Sequence, residues 1–185
     1  PLSGSAVQTL DDLPKGAKVG TGSPRRQAQL LHLRPDLELC EIRGNVDTRI
    51  RKLDEGQYDA IVLAEAGLRR LNLEHRISLL LTPPSVYPAV SQGALGIECR
   101  ESDEATQTLL QQILCLTTHA EILAERSLLR TLRAGCHAPL GAWTQIEGEQ
   151  LTLTGVLLSL DGRHRIEQTA SGSAKSADQI GVLVA

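Results

Sequence analysis

The chain has 185 residues, a net charge of −3 at pH 7 and 41% hydrophobic residues. That length suits one large domain or two small ones, and the charge leaves no footprint for non-specific nucleic-acid binding. With only three aromatics (Tyr58, Tyr87 and Trp143), the core must be aliphatic, which argues against a base-stacking platform.

In chain order, "AKVGTG" (17–22) reads as a short strand ending in a glycine-rich turn. Ser23 caps a helix with Pro24 at its first position, running to about Leu33. "LELCEIR" (37–43) reads as a second strand, and Gly44-Asn45 turns it into a helix from Val46 to Glu55. Val46, Ile50 and Leu53 form that helix's apolar stripe, and Gly56 ends it. "DAIVLA" (59–64) is a continuous apolar run, as in a strand buried on both faces of a parallel sheet, and a short helix follows through 65–71. Alternating strands and helices predict a doubly wound α/β domain.

"LTPPSVYP" (81–88), with three prolines, reads as a linker or hinge, and "ALGIECR" (94–100) as another strand. Helices are expected at 103–115 and 119–133, the second opened by a Thr118/Glu121 capping box and closed by Gly135. Three strands then follow at 139–146, 150–159 and 163–170, with a hairpin signal at Asp161-Gly162 and a last helix from near Ser176. This second part reads as a small α+β domain with a three-stranded antiparallel sheet.

The chemistry-bearing residues are mostly arginines, 15 against 4 lysines. Arg25 and Arg26 open a helix just beyond a strand's C-terminal end. Arg43 ends the next strand, Arg49 lies one turn into the following helix, and Arg69 and Arg70 follow the third strand. In open α/β sheets ligands bind beyond the C-terminal strand ends, and helix N-termini favour anions. "GTGSPRR" (20–26) therefore reads as an anion cradle, with hydroxyls from Thr21 and Ser23 and two guanidinium clamps. It lacks G-K-[ST] and a third glycine, so a carboxylate or small phosphorylated ligand suits it better than a nucleotide. The four cysteines (40, 99, 115, 136) are widely spaced, without a C-x-x-C pair, and the histidines show no metal-ligand spacing, so no metal is expected. Thiols without a secretory signal suggest a cytoplasmic setting. No apolar run approaches the roughly 18–20 residues of a membrane span. The chain lacks methionine and ends on "DQIGVLVA" in what reads as mid-helix, which suggests a piece of a larger protein. Cys136, between Gly135 and Pro139 on a rigid corner, is either a small buried residue or a thiol in chemical use.

Four stretches in order, "VGTGSPRRQAQL" (19–30), "EIRGNVDTRIRKLDEGQYDAIVLAEAGLRRL" (41–71), "AVSQGALGIECR" (89–100) and "LRAGCHAPLG" (132–141), closely resemble the porphobilinogen deaminase (hydroxymethylbilane synthase) family over nearly the whole chain. The resemblance implies a transferase of heme biosynthesis that joins four porphobilinogen molecules head to tail with loss of ammonia. Growth is primed on a dipyrromethane cofactor held by a thioether. It places the attachment on Cys136, with Ser23, Arg25, Arg26, Arg43 and Gly44 around the cofactor and Arg49, Arg70 and Gln92 on the substrate's carboxylates. It implies two periplasmic-binding-protein-like domains and a third that carries the cysteine. Residues 1–90 would then be the second domain, 91–114 a hinge and return segment of the first, and 115–185 an incomplete third. The family's catalytic aspartate lies in a Lys-Asp motif, and no "KDVP"-like stretch occurs in 1–185, so no catalytic residue is assigned here. Ser91 stands where many members have glycine, and Asp47 where some do. The family is typically monomeric, but an unpaired edge at 94–100 would make this piece self-associate. The other reading is a non-catalytic carboxylate- or anion-binding module of similar fold. A ligand-sensing regulator would need an output element, and none is seen.

Overall fold

The computed structural model describes residues 7–135 and 137–185. The chain forms two units. The first takes in Pro1–Tyr87, Cys136–Gly141 and Leu157–Ile166, and the second Pro88–Gly135, Ala142–Val156 and Glu167–Ala185.

In the first unit, β1 (Lys18–Gly20) lies between β2 (Glu38–Cys40) and β3 (Ala60–Ile61), all parallel. Val19 sits opposite both Leu39 and Ala60. The helices α1 (Pro24–Leu33), α2 (Val46–Asp54) and α3 (Glu65–Arg70) follow the three strands in turn. Ser23 Oγ accepts from the Arg26 amide, so the expected N-cap forms, and Asn45 Oδ1 caps α2 by accepting from the Thr48 amide. Leu13, Ala17, Val19, Leu30 and Leu37 make the aliphatic core. Beneath it Arg34 pairs with Asp36 through two bonds of 2.7 and 2.8 Å and donates to the Leu10 carbonyl at 2.6 Å. The hairpin tip around Gly162 belongs to this unit, and His32 Nδ1 lies 2.8 Å from the Gly162 carbonyl.

The strands are shorter than the sequence predicts. The 59–64 run was expected to be buried on both faces, but only Ala60–Ile61 is strand, and residues 60–63 are half-buried. The reason is topological. With strand order β2-β1-β3, β3 is an edge that pairs with β1 along one side only, and its pairing ends after two residues.

In the second unit α4 (Glu104–Gln112) starts at an Asp103 cap, and α5 (Leu116–Thr131) packs on α6 (Ala177–Val184). The approach is close. A Cβ on Gly181 would strike the Ala124 carbonyl oxygen and come within 2.5 Å of Ser127 Cβ. The C-terminal strands β4 (Leu140–Glu147), β5 (Gln150–Leu158) and β6 (Arg165–Ser173) form an antiparallel sheet in the order β4-β5-β6. Leu151 and Leu153 of β5 are buried, while Thr152 and Thr154 hydrogen-bond across to Ser171 and Thr169, an alternation that shifts phase at Gly155-Val156, both buried. This is a half-buried sheet face of period two.

Three expectations change here. Residues 94–100 form no strand, with Leu95 and Ile97 exposed, because no neighbouring strand offers its backbone partners. α5 begins at Leu116, ahead of Thr118, whose hydroxyl is spent on Cys115 Sγ at 3.3 Å and makes no capping box with Glu121. Its end is a Schellman turn, with Ala134 N–H on the Leu129 carbonyl and Arg133 N–H on that of Arg130. The left-handed residue there is Arg133 at φ +50°, where Gly135 had been expected to close the helix.

Candidate functional site

Backbone chemistry places the first guanidiniums. β1 stops at Gly20, and Thr21-Gly22-Ser23 carries the chain into α1, so Arg25 and Arg26 fall on the first turn, where the helix's free N–H groups already favour anions. Arg25 is buried and donates from Nη1 to the Tyr87 carbonyl at 2.6 Å. Arg26 donates from Nη1 to the Val62 carbonyl, just past β3, at 3.1 Å. Arg49 donates from Nε to the Gly44 carbonyl at 2.8 Å, folding back over the turn that leads into α2. Gly44 itself sits at φ +120°, and a Cβ there would come within 2.7 Å of Thr48 Cγ2, so the turn requires glycine.

The electrostatics tie three of these residues together. Burial, and secondarily the Arg26 charge, bring the pKa of Arg25 down to about 10. Burial, and secondarily the Arg49 charge, lower that of Arg26. Arg25, Arg26 and Arg49 thus form a chain of like charges, two of them partly stripped of water. Among the described residues no carboxylate lies within ion-pair distance of Arg26 or Arg49. An anion brought here gains from all three charges at once.

Arg43 is placed differently. It is exposed and pairs through Nε with Glu41 at 2.7 Å, which raises its pKa. Such an exposed pair is worth at most about 1 kcal/mol, so a ligand carboxylate can replace Glu41 at little cost. Arg70 is exposed at the C-terminal end of α3. Gln92 lies in the other unit, in a turn where its Oε1 faces the Ala89 amide at 3.5 Å. Cys136 lies outside the described residues.

Sequence reasoning missed two buried polar side chains, one in each unit. The Gln29 amide accepts the Tyr87 N–H at 2.6 Å and donates to the Tyr87 carbonyl at 3.0 Å, clamping the proline-rich segment beside Arg25. Its only signal is position, one turn after Arg25 on the same helix face. The other is Glu125 of α5, buried and bonded to the Ser91 amide and the Thr144 hydroxyl, which no motif marks. Among the described residues no group of three His, Cys, Asp or Glu could hold a metal, and no helix is long and apolar enough to cross a membrane.

A parallel α/β unit with guanidiniums at the start of α1 and in α2, beyond its strand ends, sets the class as an α/β protein. Residues 2–108 match the family model described as "Porphobilinogen deaminase, dipyromethane cofactor binding domain", and residues 119–185 match "Porphobilinogen deaminase, C-terminal domain". A porphobilinogen deaminase from Brevibacillus brevis is 49% identical over 179 residues, which cover 96% of this chain and 57% of that protein. The chain belongs to the porphobilinogen deaminase family and spans little more than half the length of that relative. The family model names dipyrromethane as the cofactor of the domain that residues 2–108 match. The arginine cluster fits a group that carries several carboxylates, since buried, mutually repelling guanidiniums are stabilised by such anions.

Proposed function

We propose that this chain is the cofactor- and substrate-holding part of a hydroxymethylbilane synthase. Such an enzyme condenses four porphobilinogen molecules head to tail, releasing one ammonia per condensation, in heme biosynthesis. The observation that carries this reading is the Arg25–Arg26–Arg49 cluster, inside the segment matched to the cofactor-binding domain. Each pyrrole bears an acetate and a propionate, so a growing chain accumulates carboxylates. Arginine's planar fork is the side chain that pairs with them bidentately.

In this reading Cys136 holds the dipyrromethane through a thioether, and the bound group supplies the primer from which the chain grows. Arg25, Arg26 and Arg43, with Ser23 and the Gly44 turn, hold the primer's carboxylates. Arg49, Arg70 and Gln92 take those of the incoming units. The fixed backbone partners of Arg25, Arg26 and Arg49 (the carbonyls of Tyr87, Val62 and Gly44) hold their planes before ligand arrives, which reduces the ordering cost on binding. In this reading residues 1–90 are a periplasmic-binding-protein-like second domain, supported by the parallel β2-β1-β3 sheet, 91–114 are a return segment and 115–185 a cofactor-carrying domain. The setting is cytoplasmic.

The sequence holds no Lys-Asp motif, so no general acid is assigned within it. The test follows from that. The full-length enzyme forms linear tetrapyrrole and ammonia from porphobilinogen, and the 185-residue chain alone does not. Turnover by the isolated chain on the order of 1 s⁻¹ would show that the proton-transfer group lies among these residues.

A further inference from the structure

Glu125 stands near the middle of α5, with a side chain that the exposed pattern of charged residues around it does not distinguish. It is 8% exposed. Its Oε2 accepts the Ser91 N–H at 2.6 Å, and its Oε1 accepts the Thr144 hydroxyl of β4 at 3.0 Å. One carboxylate therefore joins a helix, a strand and the 89–94 turn, all within the second unit.

The turn needs that anchor. Ser91 is held at φ +63°, a left-handed conformation that disfavours any residue with a Cβ, and Gly93 follows at φ +94°. Two backbone bonds, Gln92 N–H to the Ala89 carbonyl at 3.0 Å and Ala94 N–H to that of Ser91 at 3.3 Å, close the turn around Gln92. The 2.6 Å bond from the Ser91 N–H to the Glu125 carboxyl group is shorter than either and ties the turn to a helix rather than to itself. We propose that Glu125 is a positioning residue, whose buried carboxylate reaches across to the Ser91 amide, fixes the strained turn and so sets where Gln92 meets the substrate's carboxylates. This rests on the reading of Gln92 as a substrate contact.

What the site requires is reach. A glutamine at 125 has the same length, can accept from Ser91 through its oxygen and donate to Thr144 through its nitrogen. An aspartate keeps the charge but is about 1.5 Å shorter, too short for both bonds.

The experiment compares Glu125→Gln and Glu125→Asp in the full-length enzyme. It reads hydrogen exchange at the Ser91 amide, cofactor content by intact mass, and kcat and KM for porphobilinogen. Glu125→Gln should keep slow Ser91 exchange and a KM within about 3-fold of the parent. Glu125→Asp should speed Ser91 exchange by about 10-fold or more and raise KM about 5- to 10-fold, with cofactor content and kcat little changed. Ser91→Gly added to Glu125→Asp should restore KM, because glycine holds φ +63° without the anchor. Glutamine and aspartate failing alike would overturn the role of reach, as would fast Ser91 exchange with KM unmoved. A Gln92→Ala control separates the two readings. If it leaves KM unchanged, the substrate role of Gln92 falls and this inference with it. If it raises KM while Glu125→Asp does not, the inference alone falls. Should Glu125→Asp fail to fold, Thr144→Val frees Oε1 and serves the same comparison: faster Ser91 exchange with a raised KM supports the inference, and unchanged values overturn it.

Discussion

Replacing Arg26 by leucine separates a ligand-binding guanidinium from a structural one. Folded, Arg26 gives one bond to the Val62 carbonyl and has its pKa lowered by burial first and by the Arg49 charge second. Losing a charged hydrogen bond costs about 1.5–3 kcal/mol. Leucine, however, removes a cation that the fold holds against its own solvation and against Arg49. Val62 is half-buried, so water can serve its carbonyl. The two effects oppose, and the net loss of stability should be under about 1.5 kcal/mol. Ligand binding has no such offset. One lost arginine–carboxylate bond of about 1.5–3 kcal/mol weakens binding about 10- to 150-fold. The assay is urea unfolding and dipyrromethane loading, read by intact mass, on the full-length Arg26→Leu enzyme. Arg26→Lys should fall between the two, since it keeps charge and loses the fork. A stability loss above about 3 kcal/mol with cofactor loading unaltered would make Arg26 a strut for Val62 and refute the ligand role.

Three other outcomes follow from local geometry. Arg133→Gly relieves a left-handed φ of +50° in the Schellman turn closing α5 and should stabilise by about 0.5–1 kcal/mol in chemical denaturation. Gly162→Ala places a Cβ at φ +72°, 2.6 Å from the Ala28 carbonyl oxygen and the His32 amide nitrogen, backbone atoms that cannot step aside. A loss of about 2 kcal/mol or more is expected, seen as a lower Tm. Burial raises the Glu125 pKa above its usual 4.5, with Glu121 adding repulsion, so the folded state holds this proton more tightly than the unfolded chain. Its favourable contribution is full below 4.5 and is lost as pH rises through the raised value. Glu125→Gln should accordingly exceed the parent in stability at pH 7–8, and the gap should close as pH falls toward 4.5.

The helix starts were legible wherever a cap side chain has a local partner. Ser23 before Pro24, Asn45 and Asp103 each satisfy an amide three residues on. The place of Arg25 and Arg26 on the first turn of α1 was legible for the same reason, because a glycine turn, a cap and two arginines occupy consecutive positions. The misses are non-local. Whether 94–100 is a strand depends on a neighbour that its own alternation cannot supply. Arg133 takes the left-handed role at the end of α5 because the Schellman bonds fall at Arg133 and Ala134, two residues short of Gly135. The Arg43–Glu41 pair competes with the ligand role that position suggests, and both members sit on one short exposed segment. Glu125 escaped notice because a buried carboxylate satisfied by a distant amide and hydroxyl looks, in sequence, like any solvated helix residue.

The covalent chemistry of Cys136 tests the central claim most directly. Tryptic peptides of the active full-length enzyme, examined by mass spectrometry, should show a dipyrrole adduct on the peptide containing Cys136 and on no other cysteine. Cys136→Ser should abolish it, because a hydroxyl is a far weaker nucleophile than a thiolate near neutral pH. A free Cys136 in enzyme that turns over porphobilinogen would contradict the assignment, as would an adduct on Cys40, Cys99 or Cys115.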